Sequence, residues 1–184
     1  MPLYFITGNQ HKFDEIKEIV PQIERLEMDL PEIQEIDPKA IINEKLLEAR
    51  KRHEGEFIVE DTSLVMNCLN GLPGPLIKWF LKALTNKGLY ELAYKYADFG
   101  AEARTTIGYA DARGELHYFE GVTRGTLVPP AGSGNFGFGW DPIFRPEGSK
   151  KTHAEMTREE KNAVSQRGKA ARLLRGHLKE TKLG

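Results

Sequence analysis

Residues 136–144, Phe-Gly-Phe-Gly-Trp-Asp-Pro-Ile-Phe, combine aromatic side chains with one carboxylate in a segment too rich in glycine and proline to be a regular core element. An aromatic face beside an acceptor carboxylate is one way in which proteins hold a flat, hydrogen-bonding ring such as a nucleobase. The segment is therefore a candidate base-binding loop. The alternative is a hydrophobic loop or hairpin that packs under a sheet.

A phosphate site is a second possibility, at the N-terminus. Residues 3–6 form an apolar run, residues 7–12 read Thr-Gly-Asn-Gln-His-Lys, and an amphipathic stretch follows. This pattern predicts a strand, a tight turn and the first turn of a helix, where free N–H groups and the helix dipole attract anions. Lys12 adds a full positive charge. The spacing is not that of a Walker loop, so a turn that binds nothing is the alternative.

Acidic residues in two separate segments suggest a metal site. An apolar strand predicted over residues 57–64 ends in two acids, Glu60 and Asp61, followed by two hydroxyl residues, and Glu32 lies in the loop 31–34. Successive side chains of a strand point to opposite faces, so only one of Glu60 and Asp61 can face such a site. Hard oxygen ligands at the carboxyl end of a strand suit Mg²⁺, which substrate phosphates often complete. A turn with a capping aspartate is the alternative.

The elements that must position these residues alternate between helix and strand. Asp37 and Pro38 open a helix predicted over residues 38–53, and a Gly/Pro turn at residues 70–75 precedes two helices, the second near residues 88–97. A hairpin follows, with strands at residues 101–110 and 115–128. This order predicts a mixed α/β sheet.

Length and charge narrow the classes of function. A chain of 184 residues predicts one domain, residues 1–184, and 26 basic against 27 acidic residues argue against a nucleic-acid coat or a binder of acidic membranes. We see no signal peptide and no apolar run near the ~18 residues of a membrane span. We therefore expect a cytoplasmic protein with neither nucleic acid nor membrane as a partner.

Taken together, the motifs closely resemble the inosine triphosphate pyrophosphatases, enzymes that remove deaminated purine nucleotides. The resemblance covers almost the whole chain and is closer to the eukaryotic branch than to the bacterial one. The segments that carry it are Thr-Gly-Asn-Gln-His-Lys at 7–12, Leu-Pro-Glu-Ile-Gln at 30–34, Val-Glu-Asp-Thr at 59–62, Asn-Gly-Leu-Pro-Gly-Pro at 70–75 with Ile-Lys-Trp-Phe at 77–80, Phe-Gly-Trp-Asp-Pro at 138–142, Ala-Glu-Met at 154–156 and Glu-Lys-Asn-Ala-Val-Ser at 160–165.

The resemblance implies an activity and an architecture. The expected reaction is Mg²⁺-dependent hydrolysis of ITP, dITP or XTP to the monophosphate and pyrophosphate by attack of water at the α-phosphorus, with Mn²⁺ as a substitute ion. The expected fold is a mixed, twisted, elongated central sheet flanked by helices, in two lobes with the active site in the cleft between them. A homodimer is also implied.

The resemblance assigns roles to individual residues. Asp61 and Lys12 would be catalytic, Glu32 and Asp61 would bind the metal, and Phe138 or Trp140 would stack on the base. The complete set of implied substrate contacts is Thr7, Gly8, Asn9, Gln10, His11, Lys12, Lys45, Asp61, Thr62, Lys78, Phe138, Gly139, Trp140, Asp141, Lys161, Ser165, Gln166 and Arg167.

Two positions depart from the family pattern. Gln166 stands where the family usually has histidine, and His153 stands where it usually has an aromatic residue. A glutamine amide can still donate and accept hydrogen bonds, but it cannot carry the charge of a histidine.

The C-terminal segment should contain a helix break. Thr157 and Glu160 form a capping box, which predicts a helix start. On one continuous helix Lys161 and Arg167 would point roughly 120° apart. We therefore predict a break near Ser165, with a second helix that runs to about residue 177.

Other classes of function stay open on the sequence alone. A nucleotide-binding regulatory module would keep the turn and the aromatic loop but would not need acids in separate loops. A pyrophosphatase for another modified nucleotide would keep every motif. A binder of single-stranded nucleic acid would use the aromatics and lysines with a net basic surface, which this chain lacks.

Overall fold

The computed structural model describes residues 2–132 and 139–181. Its strands are β1 Leu3–Ile6, β2 Ile23–Leu26, β3 Glu56–Met66, β4 Pro73–Gly74, β5 Gly100–Ala110, β6 Leu116–Leu127 and β7 Phe144–Pro146, and its helices are α1 Gln10–Ile19, α2 Pro38–Arg52, α3 Ile77–Lys95, α4 Arg158–Val164 and α5 Gln166–Glu180. None of these helices is long and apolar enough to cross a membrane.

Within the described residues the strands form one seven-stranded sheet in the order β2-β1-β3-β5-β6-β7, with β4 paired to β3. Strand β1 runs parallel to β2 and β3, whereas β4 is antiparallel to β3 and β7 is antiparallel to β6. The predicted mixed α/β fold is therefore confirmed.

Backbone contacts divide the chain into two compact units. Unit 1 contains Met1–Asp61, Thr105–Gly121 and Arg167–Gly184, and unit 2 contains Thr62–Arg104 and Val122–Gln166. The single domain expected from the sequence remains a prediction.

Unit 1 has a hydrophobic core on each face of its sheet. One core packs α1 and α5 against side chains such as Phe5, Ile58 and Ile107. The other packs α2 against Phe57 and Val59. Because neighbouring residues of β3 enter opposite cores, the direction of each later side chain in the strand is set by the same alternation.

Unit 2 has one core, built from α3, the second half of β3 and the segment around β7. The two helices predicted between residues 76 and 97 are confirmed as the two parts of α3, which are separated by a kink at Thr85, whose φ of 61° and ψ of 177° are not helical. The hairpin of β5 and β6 lies within one residue of its predicted bounds.

One boundary prediction was wrong. Strand β3 does not end at residue 64, after its two acids and two hydroxyl residues, but continues to Met66, because Leu64 and Val65 pair with β4. Glu60 and Asp61 therefore lie in mid-strand. They still lie beyond the carboxyl end of β1, whose pairing with β3 stops at Ile58.

Candidate active site

The turn between β1 and α1 is fixed by its own polar side chains. Asn9 caps α1, since its Oδ1 accepts a hydrogen bond from the backbone N–H of Lys12 at 3.2 Å. The N–H of Asn9 in turn donates to Thr7 Oγ1 at 3.1 Å. An added Cβ on Gly8 would meet nothing within 4 Å, and its φ is not left-handed. The protein's own packing therefore does not require glycine there, whereas close approach of a ligand would.

Arg25 on β2 supports this turn, a role that no sequence motif indicated. Its guanidinium donates to the carbonyl oxygens of Thr7 at 3.1 Å and Gly8 at 3.2 Å, and also to Gln10 Oε1. The amide nitrogen of Gln10 donates to Asp14 at 2.6 Å. The side chain of Gln10, a predicted substrate contact, is thus engaged in supporting the turn.

Lys12 is the partly exposed end of a chain of charges in unit 1 whose other members are buried. Its Nζ lies 2.7 Å from Glu60 Oε1, and Arg167 binds the same carboxylate through Nε at 2.8 Å and Nη2 at 3.2 Å. Arg167 also donates to Glu15 on α1, and its side chain is 1% exposed. Two cations and two carboxylates therefore compensate one another beneath the turn.

This charge chain fixes the ionisation of Glu60 and Arg167. Burial by itself would raise the pKa of Glu60, but the charges of Arg167 and Lys12, with hydrogen bonds from both, hold that pKa well below its ordinary value. Burial would lower the pKa of Arg167, but Glu60 and Glu15 raise it further above its already high value. Glu60 therefore stays ionised and holds Lys12 in place.

Asp61 faces away from this chain. Because Glu60 lies on the α1 and α5 side of β3, alternation directs Asp61 to the side of Val59, which packs in the α2 core. Asp61 is half-buried. Lys45 lies on helix α2, and its Nζ is 3.5 Å from Glu32 Oε1. The Lys45 side chain is 13% exposed. Asp61 and Glu32 each offer oxygen ligands, which is the chemistry that Mg²⁺ prefers.

In unit 2, two predicted base contacts bind each other. Lys161 Nζ donates to Asp141 Oδ2 at 2.6 Å, and both side chains are almost completely buried. Burial by itself would raise the pKa of Asp141, but it is lowered to about 2 by Lys161 and by His153, whose Nδ1 lies 3.6 Å from Asp141 Oδ1. That separation is too long for a hydrogen bond, so we take Lys161 to be the main cause.

Trp140 lies in the core of unit 2 and is 5% exposed. Its ring meets Phe144 edge-on at 5.5 Å and His153 at 6.2 Å. His153 thus fills an aromatic position, and both of its buried ring nitrogens have no hydrogen-bond partner in the described part of the chain. Base stacking by Trp140 stays a prediction, as does stacking by Phe138, which lies outside the described residues.

Gly139 precedes Trp140 in the left-handed conformation, with φ +60°. Asn86 on α3 donates to its carbonyl oxygen at 2.9 Å. Since an L side chain rarely adopts this φ, glycine is favoured here for backbone reasons.

The predicted break of the C-terminal helix is confirmed. Ser165, with φ −70° and ψ 155°, separates α4 from α5, and Thr157 and Glu160 form the expected capping box. Thr123 holds the break by donating to the carbonyl oxygen of Val164 at 2.8 Å. Gln166 is buried, and its Oε1 accepts no hydrogen bond among the residues that the structure describes.

Three other predicted contacts are exposed or half-buried. His11 is exposed in the first turn of α1, and Thr62 is half-buried on β3. Lys78 is exposed at the start of α3, with its Nζ 5.7 Å from the centre of the Trp79 ring.

Comparison with known proteins identifies the same family that the motifs resemble. The sequence profile described as the Ham1 family matches residues 3–177. The chain belongs to the Ham1 family. A curated relative, the inosine triphosphate pyrophosphatase of Schizosaccharomyces pombe, is 43% identical over 184 residues, covering 98% of this chain and 96% of the relative. The resemblance drawn from the motifs is thereby confirmed.

Solved structures of Ham1 family proteins share the fold. The Ham1 protein of Staphylococcus aureus is 25% identical, with a TM-score of 0.75 over 97% of this chain and 99% of that one. A nucleoside-triphosphatase, or dITP/XTP pyrophosphatase, of Mycobacterium abscessus is 28% identical, with a TM-score of 0.71 over 95% and 98%. The match to a HAM1 protein from Coxiella burnetii, 24% identical with a TM-score of 0.79 over 98% of this chain and 100% of that one, supports the fold alone.

Within this Ham1 family chain, sequence reasoning missed the partners of the charged residues. Glu15 and Glu60 were not among the predicted site residues, yet they hold Arg167 and Lys12. A signal for Glu15 existed: it occupies an apolar-facing position of α1 beside Ile16 and Ile19, where an acid requires a buried cation.

Proposed function

We propose that this chain is a Mg²⁺-dependent pyrophosphatase that hydrolyses ITP, dITP and XTP to the monophosphate and pyrophosphate. The observation that carries the proposal is the near full-length match to the S. pombe inosine triphosphate pyrophosphatase, with 43% identity. Such an enzyme would act on the free nucleotide pool, in the cytoplasm, with a purine nucleoside triphosphate as its partner and no nucleic acid or membrane.

The phosphate-binding role falls to the turn at residues 7–9 and to Lys12. A helix N-terminus with a capped first turn and an unobstructed glycine suits an anion. Lys12 would neutralise phosphate charge from a position held by Glu60, 2.7 Å away. Phosphoryl transfer requires chiefly positioning and charge neutralisation, so a serine or cysteine nucleophile is not needed.

The metal role falls to Asp61 and Glu32, whose carboxylates, together with substrate phosphates, make a hard-oxygen set suited to Mg²⁺, with Mn²⁺ as a substitute. When bound, such an ion would offset negative charge on the phosphates and favour ionisation of the attacking water. Asp61 would orient that water. Lys45, 3.5 Å from Glu32, would complete the neutralisation of the triphosphate.

Base selection falls to the Asp141–Lys161 pair, with Gln166 and Arg167 as further contacts. A 6-oxo purine presents an acceptor where adenine presents an amino donor, and the Lys161 ammonium is a donor. Adenine would leave buried polar groups unpaired, which costs much more than the loss of an apolar contact.

A panel of triphosphates scored by pyrophosphate release tests this proposal. We expect kcat/KM for ITP and XTP to exceed that for ATP or CTP by at least about 10²-fold, because a buried mismatched donor is strongly rejected. Equal values for ATP and ITP would contradict the base assignment but not the hydrolysis. Absence of pyrophosphate release with every nucleotide would favour a regulatory nucleotide-binding module instead.

We also propose a homodimer. Large apolar side chains are exposed on α3, with Trp79 46% and Tyr94 67% exposed, and closed two-fold assemblies commonly bury such surfaces. Light scattering at micromolar concentration should give twice the 20.8 kDa mass of the chain. A mass of one chain would contradict the proposal.

A further inference from the structure

The tip of the β5–β6 hairpin gathers metal-ligating side chains that the proposed reaction does not use. Asp111 opens the turn, and its backbone N–H donates to the carbonyl oxygen of Glu115 at 3.0 Å. Its Oδ1 accepts hydrogen bonds from the backbone N–H groups of Arg113 at 2.9 Å and Glu115 at 2.8 Å. Asp111 Oδ1 therefore fixes the turn, whereas Asp111 Oδ2 takes no part in these two hydrogen bonds.

The turn between β5 and β6 brings three ligands close together. Asp111 directly follows β5, Glu115 directly precedes β6, and His117 is the second residue of β6. Ligand atoms of Asp111, Glu115 and His117 all lie within 4.8 Å of one another. Among the residues that the structure describes, no other group of three histidine, cysteine or acidic side chains is so close.

The spacing suits a shared ion better than a direct ion pair. His117 Nε2 lies 3.7 Å from Asp111 Oδ2, which is longer than a hydrogen bond. Two ligands of one zinc ion, each about 2.0–2.2 Å from it, lie at most about 4.4 Å apart. The 3.7 Å between His117 Nε2 and Asp111 Oδ2 falls within that limit. The side chain of Glu115 is exposed and can change its rotamer to reach the same ion.

The imidazole of His117 is held in orientation by its neighbours. Tyr109 stacks on it at 5.7 Å, and its other neighbour is the ring of His177 on α5, at 4.5 Å. Tyr109 is itself fixed by donating to Glu56. The Nε2 atom of His177, whose ring adjoins that of His117, is buried and has no hydrogen-bond partner in the described part of the chain.

We propose that Asp111, Glu115 and His117 bind a transition-metal ion of the zinc class at the hairpin tip, separate from the Mg²⁺ of the reaction. One imidazole and two carboxylates suit Zn²⁺, Co²⁺ or Ni²⁺ better than Mg²⁺, which prefers oxygen ligands alone. An ion there would join the start of β6 to the turn and stabilise the folded hairpin increasingly as the free ion concentration rises above the Kd.

Calorimetric titration of the chelator-treated full-length protein with Zn²⁺ tests the proposal. We expect binding that His117→Ala weakens at least tenfold, since loss of even an outer contact costs about 10–100-fold in metal affinity. Arg113→Ala, in the same turn, should bind Zn²⁺ like the unaltered chain. Asp61→Asn should keep this binding too, which separates it from the reaction's metal. Equal affinity in His117→Ala and the unaltered chain would overturn the proposal.

If His117→Ala does not fold, NMR spectroscopy of the unaltered protein and of Asp111→Asn tests the same site. Asp111→Asn keeps the side-chain oxygen that accepts from the turn N–H groups, so the hairpin should persist. We expect the unaltered protein to shift the imidazole ¹⁵N resonances of His117 on adding Zn²⁺, and Asp111→Asn to require at least tenfold more Zn²⁺. Unchanged His117 resonances in the unaltered protein would refute the site.

Discussion

Asp61→Asn should lower kcat/KM for ITP in Mg²⁺ by about 10³-fold, since loss of one electrostatic contact to the transition state costs about 10²–10³ and Asp61 is proposed to hold both metal and water. The substitution removes a charge without changing shape, and the side chain is half-buried on β3. Urea unfolding should therefore give a stability within about 1 kcal/mol of the unaltered chain. Steady-state pyrophosphate release gives the rate.

Two further variants make this result specific. Glu32→Gln, in the other proposed metal loop, should reduce the rate in the same direction but less. Asp29→Asn, which removes an exposed carboxylate from unit 1, should leave the rate unchanged. Near-normal rates in both Asp61→Asn and Glu32→Gln would mean that the acids are structural and that the metal binds elsewhere.

Local sequence signals predicted the elements well. Asp37 with Pro38 gave the start of α2, and the capping box of Thr157 and Glu160 gave the start of α4, because these signals act within one helical turn. The break at Ser165 also followed from local geometry.

Long-range pairing left no such signal. Arg167 binds Glu60, 107 residues away in sequence, and Glu15, 152 residues away. Nothing in the spacing of these residues indicates that they meet. The sequence did predict that Glu60 and Asp61 face opposite sides. Which acid faces which side was settled by the cores that the neighbouring residues Ile58 and Val59 enter.

Arg167→Met should destabilise the fold by about 3–5 kcal/mol at pH 7, because breaking a buried ion pair leaves uncompensated charge. Glu60 and Glu15 would both lose the ion pair with Arg167, and Glu60 would keep the one with Lys12. Urea unfolding should show the loss as a lower midpoint with little change in slope. Arg175→Ala, an exposed arginine of the same helix α5, is the matched control and should cost less than about 0.5 kcal/mol.

The pH dependence separates lost charge compensation from lost packing. In the unaltered chain the pKa of Glu60 is depressed below its ordinary 4.5, so its contribution to stability is present above that pH and is lost as the pH falls through the lower folded value. In Arg167→Met, burial outweighs the remaining attraction of Lys12 and moves the pKa of Glu60 upward. The loss in free energy of unfolding relative to the unaltered chain should therefore grow between pH 4 and pH 7. Adding Glu15→Gln and Glu60→Gln to Arg167→Met should recover much of that free energy. A deficit that is constant with pH would assign the loss to packing instead.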